Sequence, residues 1–229
     1  MSLPLSVVFD CDGVLIDSNR VKSEAYRTAL ASEPPEHIDA FYAWFHAHPG
    51  HTRFALFEHF YTNIAGAPDW RERVAAACSV FAGELERTLH ACPDVAGAGD
   101  FLARLSAGGV ASAIVSAALR SDLDAVVARR GWRNRFAAVC GGEKTKVAHI
   151  ADLRASGVLR PGGLYFGDSS IDMDSAEATG CAFIYVSGCS EWRDGPAICR
   201  ERGHRAIVDF TDPALDRHLA ELGSQFTPG

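Results

Sequence analysis

Six short apolar runs punctuate the chain, at Leu5–Asp10, Val110–Ser116, Phe136–Cys140, Leu164–Asp168, Ala182–Val186 and Ala206–Phe210. They show little polar alternation, and several are rich in β-branched residues. Strands covered on both faces have this pattern, and such strands belong to parallel sheets. Between the later runs lie stretches of helical character, at Asp100–Ala107, Ser121–Arg130, Lys144–Ala155 and Asp172–Thr179. Strand alternating with helix predicts an α/β fold with a doubly wound, Rossmann-like parallel sheet.

One interval breaks that rhythm. From Asn19 to Ala91 no strand can be read. Ile38, Phe41, Trp44 and Phe45 keep helical spacing, as do Phe54, Phe57 and Tyr61, and Arg71–Leu89 reads as a helix opened by Pro68-Asp69. Pro93-Asp94 and Gly97–Gly99 mark the return to the sheet. The expected division is an α/β core of residues 1–17 and 93–229 with an inserted all-helical cap of residues 18–92.

Length and composition narrow the partners. At 229 residues the chain can bury a sizeable core. A net charge of -7 argues against nucleic acid as the main partner, although a local cation can still hold a small anion. Seven scattered cysteines without a CxxC pair read as reduced thiols rather than a zinc site. No apolar run is long enough to span a membrane, and Met1 leads almost directly into the first strand without a signal peptide. A cytoplasmic protein is expected; oligomeric state cannot be read.

In a parallel α/β sheet, ligands gather outside the carboxyl ends of the strands. The first run ends "FDCDG" and delivers Asp10 and Asp12 there; the second delivers Ser116; the fourth delivers Asp168, followed by Asp172 at a helix start. Lys144 and Lys146 lie ahead of that fourth run. Carboxylates meeting at one edge repel each other unless a cation offsets them, and an open, oxygen-only site suits Mg²⁺. A carboxylate can attack phosphorus, and a second carboxyl group can protonate the leaving alcohol and then activate water. Ser116 also reads as a cap of the following helix, and Asp172 as an N-cap. Cys11 is expected to point away from the aspartates and to pack.

"DCDGVLIDS" resembles the DxDGxLxDS first motif of the haloacid dehalogenase superfamily. "IVSAA", "GGEKTKVAHI" and "YFGDSSIDMDSAEATG" resemble its second, third and fourth motifs, in order and at similar spacing. The helical insertion is similar to that of members such as phosphoglycolate phosphatases and β-phosphoglucomutases. This resemblance implies Asp10 as nucleophile and metal ligand, Asp12 as general acid/base with its backbone carbonyl on the metal, Ser116 on the phosphoryl oxygens, and Asp168 as a further metal ligand. It implies that Asp172 orients a metal-bound water or the lysine. Lys146, better spaced to Ile150, is preferred as the motif lysine; neither it nor Lys144 is followed by proline as in many members. In the "HAHPGHTRF" stretch of the cap, Arg53 is a candidate to hold a substrate anion, and His46, His48, His51, Arg20 and Lys22 are weaker candidates.

The expected function is a Mg²⁺-dependent phosphatase acting on a small phosphorylated metabolite through an aspartyl-phosphate. A phosphomutase shares the chemistry until the phosphoenzyme meets its acceptor. A dehalogenase has no need of an acid at Asp12, and a non-enzymatic phosphoacceptor module has no need of the large insertion.

Overall fold

The structure, a computed structural model, describes residues 6–48 and 51–223. Leu5, the Pro49-Gly50 turn and the expected frayed tail at Thr227–Gly229 lie outside the described residues. Six strands form one parallel sheet: β1 (Ser6–Phe9), β2 (Ala111–Val115), β3 (Ala138–Cys140), β4 (Leu164–Gly167), β5 (Ala182–Val186) and β6 (Arg205–Ile207). Their spatial order is β3-β2-β1-β4-β5-β6. The chain therefore leaves β1 toward one edge, returns, and continues toward the other from β4. The reversal opens a crevice between the carboxyl ends of β1 and β4.

Side chains alternate across this sheet as the pleat requires. Val7, Phe9, Ile114, Leu164, Phe166 and Ile184 enter one apolar core, and Val8, Val115, Tyr165, Phe183 and Tyr185 enter the other. Phe9 stacks on Phe166 with ring centroids 5.2 Å apart, while Phe101 and Phe210 close around the pair. These rings lock β1 against β4 immediately below the crevice.

Between β1 and β2 the chain forms α1 (Asn19–Ala29), α2 (Pro35–Ala47), α3 (Arg53–His59), a π-helical turn at Phe60–Ile64, and α4 (Trp70–Thr88). Pro35 opens α2 at a position where its missing N–H costs nothing, and the Thr52 hydroxyl caps α3 by accepting from Ala55 N. Tyr26, Phe41, Phe57, Phe60 and Phe81 pack together as the centre of this helical unit. The chain's exit from the sheet and its return run side by side. Asp17 N donates to Pro93 O at 2.9 Å and Val95 N to Leu15 O at 3.0 Å.

The remaining helices are α5 (Ala98–Ala107), α6 (Arg120–Arg129), α7 (Lys146–Ala155), α8 (Ser170–Ala178), α9 (Gly195–Glu201) and α10 (Ala214–Gly223). Several sequence expectations need correction. The last two helices were not anticipated. The sixth strand is not Ala206–Phe210, because side-chain turns at Asp209 and Asp212 stop the ladder after Ile207. Lys144 is outside α7, which Thr145 caps. Asp172 is not an N-cap: Ser169 caps α8, and Asp172 completes a reciprocal capping box with it. Ser116 does not cap α6, whose N-cap position is Leu119; its hydroxyl accepts from Ala118 N at 3.1 Å.

Candidate active site

Asp10 directly follows β1, and its N–H donates to Phe166 O of β4 at 2.9 Å. Asp168 directly follows β4. Adjacent parallel strands thus end on two buried carboxylates. Oxygens of Asp10, Asp168 and Asp172 all lie within 4.8 Å of one another.

The three are not equivalent. Asp172 is fully committed within the protein. Its Oδ1 accepts from Lys146 Nζ at 2.6 Å and Tyr165 OH at 2.9 Å; its Oδ2 accepts from the N–H and hydroxyl of Ser169 at 3.1 and 2.5 Å. Asp10 Oδ1, by contrast, is buried without a hydrogen-bond partner among the described residues. Asp168 Oδ2 accepts one bond, from Asn19 Nδ2 at 2.7 Å. Burial, opposed by Lys146 and reinforced by Asp172 and Asp12, pushes the Asp10 carboxyl up to about 6. Burial, Asp172 and Asp10 push Asp168 well above the usual carboxylate range. Two buried carboxylates with spare lone pairs are a donor set that fits a hard divalent cation, with Asp172 holding its neighbours rather than offering an oxygen.

Lys146, on the first turn of α7, enters this cluster. It lies 3.2 Å from Asp10 Oδ2 and 2.6 Å from Asp172 Oδ1. Burial works to lower its ammonium, but Asp10 and Asp172 outweigh it and keep the charge on. Lys144 is on the surface, paired with Asp152 at 2.6 Å.

Asp12 is held differently. Ser18 Oγ donates to its Oδ1 at 2.5 Å, and Lys22 Nζ pairs with Oδ2. Burial works to raise this carboxyl, but Lys22 and Ser18 prevail and hold it below its ordinary value. Gly13 follows with φ +73°, and a Cβ there would stand 2.2 Å from Asp168 Oδ2. Only a glycine lets the β1 turn run this close to the β4 carboxylate. Cys11, between the two aspartates, is buried in the core.

Asp10, Asp12, Ser116 and Asp168 line one cleft of about 790 Å³, including its open mouth. The opposite wall comes from the helical unit, with Lys22, Tyr26, Phe45, His46, His51 and Arg53. Arg53 reaches across and pairs with Asp122 of α6, its guanidinium over the Phe81 ring at 4.8 Å. His48 stacks on Trp44 and His51 packs against it at a tilt, at 4.6 and 5.4 Å between ring centroids. Arg20 is exposed and is not part of the cleft lining. Asn19 and Glu191 also line the cleft and were not singled out in the sequence. Asn19 was within reach of the sequence, since it opens the helix directly after the first motif. Glu191 lies in a loop without a local signature.

A parallel sheet whose switch point gathers buried carboxylates beneath a helical unit defines an α/β enzyme with a carboxylate-lined cleft. The chain belongs to the haloacid dehalogenase-like hydrolase family, whose model matches residues 7–186. No curated protein matches it in sequence. Among solved structures, a hydrolase from Pseudomonas syringae superimposes with a TM-score of 0.74 at 21% identity, over 95% of this chain and 98% of that one. A provisionally named β-phosphoglucomutase from Bacteroides vulgatus gives 0.73 at 18%, over 99% and 92%. A protein described as a predicted phosphoglycolate phosphatase from Haemophilus somnus gives 0.72 at 18%, over 90% and 94%. At these identities the likeness is one of fold.

Proposed function

We propose that this hydrolase is a Mg²⁺-dependent phosphatase that cleaves a small phosphorylated metabolite, with Asp10 as nucleophile. The observation that carries the reading is the Asp10 carboxylate itself. It is buried at the switch point, with one oxygen unpartnered and the other beside the Lys146 ammonium. A bound Mg²⁺, held by Asp10, Asp168 and the Asp12 backbone carbonyl, supplies charge that offsets the carboxylates and the phosphoryl oxygens.

The protein's own groups divide the remaining work. Asp10 attacks phosphorus, and the leaving alcohol takes a proton from Asp12, giving an aspartyl-phosphate on Asp10. Asp12, now a carboxylate, removes a proton from the water that attacks this intermediate and releases phosphate. Lys146 stabilises charge on the transferring group, and Asp172 fixes Lys146 in place. Ser116 donates its hydroxyl to a phosphoryl oxygen. Arg53, already at the seam between helical unit and core, exchanges Asp122 for an anionic oxygen of the substrate's phosphoryl group. Residues 18–92 act as the cap, moving about the paired crossings at Asp17–Pro93 and Leu15–Val95, and closure excludes bulk water.

The test is phosphate release from p-nitrophenyl phosphate with MgCl₂. Turnover is expected to stop in excess EDTA and to fall at least ~10³-fold in Asp10→Asn and about 10²–10⁴-fold in Asp12→Asn. Full turnover in EDTA, or by Asp10→Asn, overturns the reading.

A further inference from the structure

We propose that Glu191 makes this site selective for phosphate monoesters whose leaving group carries an ammonium, which its carboxylate holds at the seam between cap and core. The inference rests on the phosphatase reading above and names its substrate class. It begins with the distribution of charge in the cleft. Each cation lining it, or reaching into its floor, is already matched with a protein carboxylate: Lys22 with Asp12, Lys146 with Asp10 and Asp172, Arg53 with Asp122. His46 and His51 also line the cleft, but burial, together with Arg193 near the first and His48 near the second, pushes both below the ordinary imidazole value. Near neutral pH they supply little positive charge.

Glu191 is the reverse case. It lines the same cleft and has no hydrogen-bond or ion-pair partner among the described residues. Burial alone pushes its carboxyl up to about 7, with no neighbouring cation to oppose the shift. The backbone on either side of it is tied down. Ser190 Oγ donates to Asp168 O at 2.6 Å and accepts from Tyr185 OH at 2.9 Å and Trp192 N at 3.1 Å. The loop carrying Glu191 is therefore tied to the same backbone that presents Asp168. A partly desolvated carboxylate without a partner carries a cost that a cationic ligand removes.

The surroundings favour an ammonium over a plain hydroxyl. Trp192 and Phe45 line the cleft beside Glu191 and across from it, and Tyr42, packed on Phe45, senses the Glu191 charge. A carboxylate in a cleft also lined by aromatic side chains suits a cation. A leaving group with a second carboxylate or phosphate meets the opposite situation. It faces Glu191, and the Arg53 it would recruit must first abandon Asp122.

The test is binding of two two-carbon monoesters, O-phosphoethanolamine and phosphoglycolate, to Asp10→Asn protein with Mg²⁺, followed by calorimetry. The ammonium ester is expected to bind at least about tenfold tighter. In Asp10→Asn/Glu191→Gln the ratio is expected to collapse toward unity, and in Asp10→Asn/Glu191→Asp to be retained. A general loss of folding would abolish binding of both esters, and Glu191→Asp, which keeps the charge, separates that outcome from loss of the carboxylate. Equal affinities, preference for phosphoglycolate, or a ratio indifferent to Glu191→Gln overturns the inference. Failure of the phosphatase reading is seen separately, in the wild-type release of phosphate from p-nitrophenyl phosphate.

Discussion

Asp12 and Asp10 are two residues apart and stand in opposite electrostatic situations. Asp10 is raised by burial, whereas Lys22 and Ser18 overcome burial at Asp12 and hold it low. In the metal-free chain Asp10 is thus the more protonated of the two, and positive charge bound beside it would lower it toward the carboxylate that attack on phosphorus requires; at Asp12 the opposing charge is already present, in Lys22. Lys22 is the lever. Replacing it by methionine removes the nearest cation, so the Asp12 carboxyl rises. Whichever half-reaction limits, the limb of the pH–rate profile belonging to Asp12 is expected to move to higher pH in Lys22→Met and to stay in place in Lys22→Arg. A profile unchanged in Lys22→Met would show that the pair does not tune Asp12. Much of this site was legible residue by residue. Asp10, Asp12, Ser116 and Asp168 stand at the ends of apolar runs, and such ends lie on one rim in a parallel sheet. Asn19 and Glu191 were not legible, since their relevance depends on what lies across the cleft.

Turns and helix starts place these side chains, and the tightest constraint is the turn after β1. Gly13 has φ +73°, and an added Cβ would meet Asp168 Oδ2 at 2.2 Å and Asn19 Nδ2 at 2.3 Å. Gly13→Ala is expected to destabilise the fold by roughly 1 kcal/mol or more from the backbone conformation alone. The clash displaces Asp168, so phosphate release should fall by ~10²-fold or more even where the protein remains folded. Denaturant unfolding and phosphate release measured on one preparation check both parts; a stable, fully active variant would contradict the close approach. At the element scale, the buried strands were readable because strands covered on both faces need continuous apolar sequence. Their ends were less so. The sixth run stops at Ile207 because Asp209 and Asp212 turn the backbone, a side-chain effect that hydrophobicity does not register. The helix beginning at Gly195-Pro196 was missed because that pair reads as a loop, although proline is welcome in a first helical turn.

At the scale of the whole molecule, folding collects negative charge at the rim of the sheet. Asp10 rises from 3.8 to about 6, so the folded chain binds more protons than the unfolded chain between those values. The stability this provides is complete below about pH 4 and is lost as pH rises through about 6. Above that, the metal-free fold carries unfavourable buried charge, which a divalent cation relieves. Saturating MgCl₂ is therefore expected to raise the melting temperature more at about pH 7.5 than at about pH 5. Differential scanning calorimetry at both values checks this, and an equal or reversed effect would argue against cation binding at these carboxylates. The sequence by itself determined the alternation of buried strand and helix, the helical interruption after the first strand, and the acidic residues at the strand ends. Those are local properties, written in apolar periodicity and turn chemistry. Only the tertiary structure decided that Asp172 serves Lys146 and Ser169 rather than offering a free oxygen, that Lys22 governs Asp12, that Arg53 answers Asp122, and that Glu191 stands without a counter-charge. Those relations join residues from different segments, and a charge acquires its partner, or goes without one, only when the chain has closed around it.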